Sequence, residues 1–149
     1  MKPRGYNSKQ MGDACEMLVA AELTLAAVPT YQAPDNWPEY DLIAQSEDIA
    51  TPQRISVKSR TFKRGRDTWV EYNVKDNFDW MAIVILPNAN EGEPKRRVFI
   101  FPKTISDLRF YRSEPETKGH DIRSVQVDRV ASVMPDFEDN FRLSLTGKT

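Results

Sequence analysis

The sequence predicts an α/β or α+β fold in which a mixed β-sheet follows an N-terminal helix. Apolar residues recur at three- and four-residue spacing over residues 8–28, which is typical of an amphipathic helix. Several short segments rich in β-branched and aromatic residues follow, separated by polar connections that contain Pro or Gly. One of them, residues 80–86, is apolar throughout, as expected for a central strand covered on both faces.

The order of elements follows from periodicity and from the residues that interrupt it. The first helix is predicted over residues 8–28, because Pro29 lacks the backbone donor that would continue it. Its apolar stripe consists of Cys15, Leu18, Val19, Leu23 and Ala26. Strands are predicted at residues 30–33, 40–44, 54–59, 68–74, 80–86 and 97–101. The remaining predictions are a short helix after Pro102, a strand at residues 124–127, and a helix or extended segment at residues 135–143.

Length and composition favour one domain covering residues 1–149, since a chain of this size can bury a core without staples. The single cysteine, Cys15, excludes an intramolecular disulfide and fits a reducing compartment. Residues 1–10 are polar and lack the apolar stretch of a secretory signal, so we expect a cytoplasmic protein. The longest apolar run, residues 80–86, is too short to span a membrane, and no membrane role is expected.

Two short segments, residues 40–44 and 54–59, each set a charged side chain on an apolar, strand-like run. Successive side chains of a strand point to opposite faces, so Ser56 and Lys58 share one face while Val57 lies on the other. The apolar face can anchor the strand in a core. The polar face is then available for a functional site.

The connection between these segments predicts where their charged side chains meet. Residues 45–53 are polar, contain Pro52 and are predicted to close an antiparallel hairpin. Such pairing would bring Asp41 close to Val57, with a carboxylate and the Lys58 ammonium on one surface. The carboxylate can hold a divalent metal there, and the lysine can face a phosphate or a nucleophilic water. The arrangement predicts phosphodiester chemistry.

Glu16 is a third acidic candidate, because it lies on or beside the apolar stripe of the first helix. Val19, Ala20 and Leu23 follow it at helical spacing. A carboxylate buried there is costly unless it is paired or bound to a metal. Glu16 therefore either joins the site of Asp41 and Lys58, or lies at the edge of the stripe and pairs with a surface base.

Basic residues are concentrated on and after the strand that carries Lys58. The net charge is −1, so an interaction with nucleic acid has to rest on local charge. Residues 54–66 contain six basic residues and no acid, whereas residues 35–48 contain five acids and no base. Besides Lys58, the set predicted to contact DNA consists of Arg54, Arg60, Lys63, Arg64 and Arg66. The alternative for residues 63–66 is a solvated hairpin tip.

A helix with Gly12-x-x-x-Glu16, a strand that opens on Asp41, and then Ser56-x-Lys58 resembles the PD-(D/E)XK, or restriction-endonuclease-like, nuclease superfamily. The segments Asp-Trp-Met-Ala-Ile-Val-Ile-Leu and Phe-Ile-Phe-Pro are most similar to small members related to Holliday-junction resolvases and to bacterial nuclease-like proteins of unassigned function. The resemblance covers residues 12–102. It implies a central mixed sheet flanked by helices on both sides.

The resemblance also implies roles for individual residues. Asp41 would be the central ligand of Mg²⁺ or Mn²⁺, Glu16 would assist from the helix, and the Val57 carbonyl would add a backbone ligand. Lys58 would be the catalytic lysine, and its expected role is electrostatic, because nearby carboxylates oppose the lowered pKa that a base needs. Ser56 departs from the pattern, since an acid usually stands at this position and a hydroxyl adds no charge.

The resulting hypothesis is a metal-dependent DNA endonuclease, acting on branched or foreign DNA. A single small domain that cuts both strands usually acts as a dimer, so a homodimer is one expected state. The alternative is an inactive nuclease-fold subunit that binds DNA or takes part in assembly, and Ser56 favours it. A third alternative is a protein-binding module of the same fold with no role in nucleic acid binding.

Overall fold

The computed structural model describes residues 4–34, 39–45, 50–113 and 121–147. Helix α1 (Ser8–Leu25) begins with a capping box, in which Asn7 and Gln10 each accept the other's backbone N–H through a side-chain oxygen. It ends before the predicted residue 28, because the chain turns at Ala27 with a φ of +74°. Across the described residues, no helix has both the length and the hydropathy to cross a membrane.

In the described part of the chain, eight strands form two sheets. Their bounds are β1 (Thr30–Gln32), β2 (Leu42–Ala44), β3 (Gln53–Thr61), β4 (Trp69–Asn73), β5 (Trp80–Leu86), β6 (Arg97–Pro102), β7 (Tyr111–Arg112) and β8 (Ile122–Gln126). The larger sheet has the order β1-β2-β3-β5-β6. Among its described pairings, β3–β5 is parallel and the others are antiparallel, so the predicted mixed sheet is confirmed.

The predicted hairpin is also confirmed, because β2 and β3 pair antiparallel with Leu42 opposite Ile55. The strand predicted at residues 40–44 is shorter than expected, so that Asp41 stands just before β2. The middle of the connection predicted at residues 45–53 lies outside the described residues. Strand β5 is buried along almost its whole length, as its apolar sequence predicted.

The smaller sheet, with the order β4-β8-β7, was not predicted. The segment at residues 68–74 does form a strand, but this strand pairs with β8 and not with β3. The physical reason is the parallel pairing of β3 and β5, which requires a crossover connection. Strand β4 lies in that crossover and therefore leaves the larger sheet.

The two faces of the larger sheet carry separate apolar cores. On one face, α1 packs Cys15, Val19 and Leu23 against β2, β3 and β5. On the other face, the smaller sheet packs together with the short helices α2 (Lys103–Arg109) and α3 (Val130–Val133). Helices therefore lie on both sides of the larger sheet, as the predicted fold class requires. Residues 135–143 contain one short 3₁₀ turn, Pro135–Phe137.

Candidate active site

Asp41 lies immediately before β2, and its carboxylate binds the backbone of β3. Its Oδ2 accepts a hydrogen bond from the Val57 N–H at 2.8 Å. The Asp41 N–H donates to the Ile55 carbonyl at 2.9 Å, and the Asp41 carbonyl accepts from the Ala33 N–H at 2.8 Å. The backbone of Asp41 is thus fixed on two sides. The hairpin brings Asp41 and Val57 into direct contact, as the sequence predicted.

The edge of β3 that faces Asp41 extends beyond the end of β2. Strand β2 pairs with β3 only through residues 53–55. On its other side, β3 pairs with β5 through residues 55–61. A strand residue directs its N–H and its C=O to the same neighbour. The Val57 carbonyl therefore faces the same side of β3 as the Asp41 carboxylate. Oxygen atoms of both residues lie along a stretch of the β3 edge that pairs with no other strand among the described residues, and we call this stretch the open edge of β3.

Ser56 and Lys58 point to the face of the larger sheet opposite α1. In the parallel register they stand beside Met81 and Ile83, which belong to the core under the smaller sheet. The Ser56 side chain is buried, and Lys58 is half-buried. Across the described residues, the Lys58 ammonium forms no ion pair with a carboxylate. The lysine charge is therefore not neutralised by any described acid in direct contact.

Glu16 lies on α1, which covers the other face of the sheet, and it is half-buried. Burial raises the pKa of the adjacent Cys15 thiol, Ser59 and Arg96 oppose that rise, and the negative charge of Glu16 adds to it. Glu16 thus belongs to the α1 side of β3, whereas Lys58 belongs to the opposite side. Within residues 4–34, 39–45, 50–113 and 121–147, no three His, Cys, Asp or Glu side chains are grouped in a way that could hold a metal.

A second carboxylate, Asp79, binds the backbone of β3 on the side that faces β5. Asp79 Oδ2 accepts from the Arg54 N–H at 2.8 Å and from Arg54 Nε at 3.0 Å, and Asp79 Oδ1 accepts from an Arg54 guanidinium nitrogen at 3.0 Å. Burial raises the pKa of the Asp79 carboxyl, but the hydrogen bonds and charge of Arg54 outweigh it, and the pKa is lowered. The same bonds raise the pKa of Arg54. This pair holds the start of β3 against the start of β5.

The other basic residues predicted to contact DNA have different environments. Arg60 donates through Nε to the Trp69 carbonyl at 3.1 Å, which ties β3 to β4. Arg64 donates through Nε to the carbonyl of Glu91, the last residue of a 3₁₀ turn, at 3.0 Å. Lys63 and Arg66 are exposed, and Lys63 pairs with a nearby carboxylate at 3.2 Å. Arg66 thus has the least constrained charge in this segment.

Asp79 was missed by the sequence analysis, although a signal was present. It immediately precedes the apolar strand β5, just as Asp41 immediately precedes β2. An acid at the start of a buried strand can accept a backbone N–H from the neighbouring strand in place of a carbonyl. The sequence alone did not reveal that Arg54 would be its partner, because 25 residues separate the two.

Comparisons with known proteins identify a solved structure that has a similar fold. No family model matches the sequence, and no curated protein matches it. Among solved structures, the bacterial homing endonuclease I-Ssp6803I matches with a TM-score of 0.50 and 17% identity, over 67% of this chain and 72% of the endonuclease chain. The chain shares the fold of this endonuclease.

A second solved structure is the Holliday junction resolvase Hjc of the archaeal hyperthermophile Archaeoglobus fulgidus. It matches with a TM-score of 0.46 and 15% identity, over 80% of this chain and 90% of the resolvase chain. The predicted fold class is confirmed by the mixed sheet and the likeness to the homing endonuclease. Membership of the PD-(D/E)XK superfamily stays a prediction, because no family model matches.

Proposed function

We propose that this protein is a metal-dependent DNA endonuclease whose active site lies at the open edge of β3. One observation carries the proposal: the Asp41 carboxylate is fixed on the Val57 N–H, on the side of β3 that the Val57 carbonyl also faces. Lys58 follows one residue later on the same strand and lacks an ion pair with any described acid. An anionic substrate is the natural partner for such a lysine.

The chemistry of the donors at this edge fits Mg²⁺ or Mn²⁺. Both ions prefer oxygen ligands, and Mg²⁺ in particular is bound through one or two carboxylates while keeping several waters. Asp41 and the Val57 carbonyl would hold the ion, and Glu16 would assist from the side of α1. When bound, the ion supplies Lewis acidity toward a phosphate oxygen and lowers the pKa of a water ligand.

The protein's own residues then bind and orient the phosphodiester. Lys58 places its positive charge where negative charge increases on the phosphorus oxygens in the transition state, so its contribution is electrostatic. Asp41 contributes as a rigid ligand, because its backbone and one carboxylate oxygen are already held by hydrogen bonds. This preorganisation avoids the cost of arranging the site during the reaction.

A second candidate function is a DNA-binding or assembly subunit with the same fold and no catalysis. Ser56 favours it, because this buried residue stands where the superfamily that the chain resembles usually carries an acid. The lack of a three-residue acidic or His/Cys cluster in the described part of the chain also favours it. The two functions differ in metal affinity, because only the nuclease needs an ion at Asp41.

The test is a cleavage assay with Mg²⁺ or Mn²⁺ on single-stranded, duplex and branched DNA, with EDTA as the negative control. Metal-dependent cleavage that is lost in Asp41→Asn would support the proposal. No cleavage of any substrate, or undiminished cleavage by Asp41→Asn, would contradict it. Calorimetric titration with Mn²⁺ separates the second candidate, which predicts salt-sensitive DNA binding without metal binding. If both strands of a duplex are cut, we expect a dimer in solution.

A further inference from the structure

A groove with positive charge and aromatic rings lies beside the smaller sheet, outside the candidate active site. Its volume is about 670 Å³, within the range of about 300–1,000 Å³ that ligand-binding pockets occupy. We call it the basic groove, and define it by Arg66, Trp69, Arg109, Tyr111 and Arg129, which line it. Residues of β8 also contribute to its wall, including Ser124 and Gln126.

The charge of the basic groove is positive and only partly compensated. Among the described residues, its lining contains three arginines and no acid. Arg109 lies 3.8 Å from an Asp136 oxygen and donates to the Val133 carbonyl at 3.1 Å. Arg66 and Arg129 are exposed, and neither forms an ion pair with any described carboxylate. The groove therefore favours an anionic occupant.

The aromatic residues favour an occupant with flat faces. The Trp69 ring is fixed by a hydrogen bond from its Nε1 to the Arg66 carbonyl at 2.6 Å. Tyr111 is 59% exposed on the edge strand β7, so an aromatic surface is presented to solvent. Fixed aromatic rings next to arginines are the combination that binds unpaired bases and the phosphates that connect them. In duplex DNA these base faces are already stacked, which favours a single strand.

The basic groove is connected to the candidate active site through β3. Lys58 and Arg60 lie on the same face of that strand, and Arg60 donates to the Trp69 carbonyl at 3.1 Å. On the other side, the Gly65 N–H donates to an Asp128 oxygen at 2.9 Å, which anchors the turn before Arg66 against the segment that carries Arg129. Arg60 thus joins β3, the strand that carries Lys58, to Trp69 in the basic groove.

We propose that the basic groove binds an unpaired segment of the DNA strand next to the site of cleavage, with bases stacked on Tyr111 or Trp69 and phosphates on Arg66 and Arg129. This inference rests on the proposed function in taking DNA as the substrate. It adds a preference for DNA that has a single-stranded segment, such as a branch, a flap or a frayed end.

The test is binding of a fluorescein-labelled single-stranded oligonucleotide by anisotropy, in EDTA, so that no cleavage contributes. Tyr111→Ala should weaken binding about tenfold, Tyr111→Phe should retain wild-type affinity, and Tyr31→Ala is the matched control, since Tyr31 is an exposed tyrosine on a different edge strand. Equal affinity of Tyr111→Ala and wild type would contradict the stacking role.

Salt dependence tests the arginines. The double variant Arg66→Gln/Arg129→Gln should reduce the slope of log Kd against log salt concentration by about 1.4, because each phosphate contact to a single strand contributes about 0.7. Arg142→Gln is the matched control, as Arg142 is exposed and lines a different pocket. An unchanged slope in the double variant, or no oligonucleotide binding by wild type at low salt, would overturn the proposal. Binding of a mononucleotide as tight as the oligonucleotide would assign the groove to a small ligand instead.

The two proposals fail separately. Metal-dependent cleavage with groove variants that bind and cut like wild type would leave the nuclease standing and reject the groove. Groove-dependent binding of the oligonucleotide without cleavage under any metal would reject the nuclease and retain the groove.

Discussion

Asp41 and Asp79 occupy equivalent positions on either side of β3, yet only one of them is compensated by a base. Each precedes an apolar strand, and each accepts a β3 backbone N–H at 2.8 Å through Oδ2, from Val57 and Arg54 respectively. Asp79 also binds the Arg54 guanidinium through both oxygens. Within the described residues, Asp41 has no ion pair.

The difference shows which carboxylate is available for a ligand. An ionised carboxylate offers about four acceptor positions. Asp79 uses most of them on Arg54, so that its role is to hold the sheet together. Among the described residues, the Asp41 carboxylate accepts one hydrogen bond, from the Val57 N–H. Under the proposed function, we therefore expect a cation with oxygen preference at Asp41 and not at Asp79.

The largest expected effect separates the two acids in catalysis. Asp41→Asn should lower the cleavage rate by roughly 10²–10³-fold, because loss of a metal ligand removes several kcal/mol of transition-state stabilisation. Asp79→Asn, which changes the same functional group at the equivalent position, should stay within about threefold of wild type, as expected for a group that makes no transition-state contact. Single-turnover cleavage rates measure both. Similar losses of cleavage rate in the two variants would contradict the different roles assigned to Asp41 and Asp79.

Lys58 tests whether the open side of β3 also carries the electrostatic part of the site. Lys58→Met keeps an unbranched apolar stem but removes the charge, and cleavage should fall about 10²-fold through lost stabilisation of the transition state. Lys95→Met is the matched control, since Lys95 is exposed and has no ion pair among the described residues. Unaltered single-turnover rates in Lys58→Met would exclude this role.

Substitutions at Ser56 test whether the lack of a carboxylate at this position limits metal affinity at Asp41. Ser56→Asp adds a carboxylate on the same strand and should increase Mn²⁺ affinity roughly tenfold, because affinity rises with the number of charged ligands. Ser56→Asn introduces an uncharged side chain of the same size as Asp and should leave the Mn²⁺ affinity close to that of wild type. Calorimetric titration compares the three proteins. A Ser56→Asp protein that folds and binds Mn²⁺ no better than Ser56→Asn would contradict a metal site here.

The smallest expected effect concerns stability, and here the substitution of Asp79 should have a larger effect than that of Asp41. Asp79→Asn should lower the free energy of unfolding by about 1–2 kcal/mol, a charge-assisted hydrogen-bond value discounted because the pair is about one-third exposed. Asp41→Asn should cost less, since an Asn oxygen can still accept the Val57 N–H. Urea denaturation at neutral pH measures both. A larger loss in Asp41→Asn would reverse the assignment of the structural role.

The pH dependence of stability should also distinguish Asp79. Its folded-state pKa is below the ordinary value of 3.8, so the Arg54–Asp79 pair contributes its full stability above that value. The contribution is lost as pH falls through the lowered pKa. The difference in unfolding free energy between wild type and Asp79→Asn should therefore shrink when the denaturation is repeated at progressively lower pH below 3.8. A difference that grows on acidification would contradict the lowered pKa.

Local patterns predicted much of the fold and the contact at its centre. The apolar stripe of α1, the uninterrupted β5 and the β2–β3 hairpin all follow from periodicity within short segments, and the hairpin was sufficient to predict the proximity of Asp41 and Val57. The catalytic roles of Glu16, Asp41, Ser56 and Lys58 stay predictions. The placement of Glu16 and Lys58 on opposite sides of β3 could not be predicted without the register between helix and sheet.

Distant pairings were beyond the reach of these patterns. Strand β4 has the composition of any strand, and its partner β8 lies some fifty residues further along the chain, as the pairing of Val70 with Val125 shows. The smaller sheet and the basic groove depend on that pairing. The Arg54–Asp79 contact depends likewise on the parallel register of β3 and β5. The sequence analysis therefore predicted Arg54 as a DNA contact, whereas in the structure the Arg54 guanidinium binds Asp79.

The most direct test of the central claim is a crystal structure of the protein soaked in Mn²⁺, with the ion located by anomalous diffraction. We predict a Mn²⁺ ion about 2 Å from an Asp41 carboxylate oxygen and from the Val57 carbonyl oxygen, with Glu16 oriented toward it and no ion at Asp79. An ion bound at Asp79, or an Asp41 carboxylate without an ion at saturating Mn²⁺, would contradict the assignment of Asp41 as the carboxylate that binds the metal.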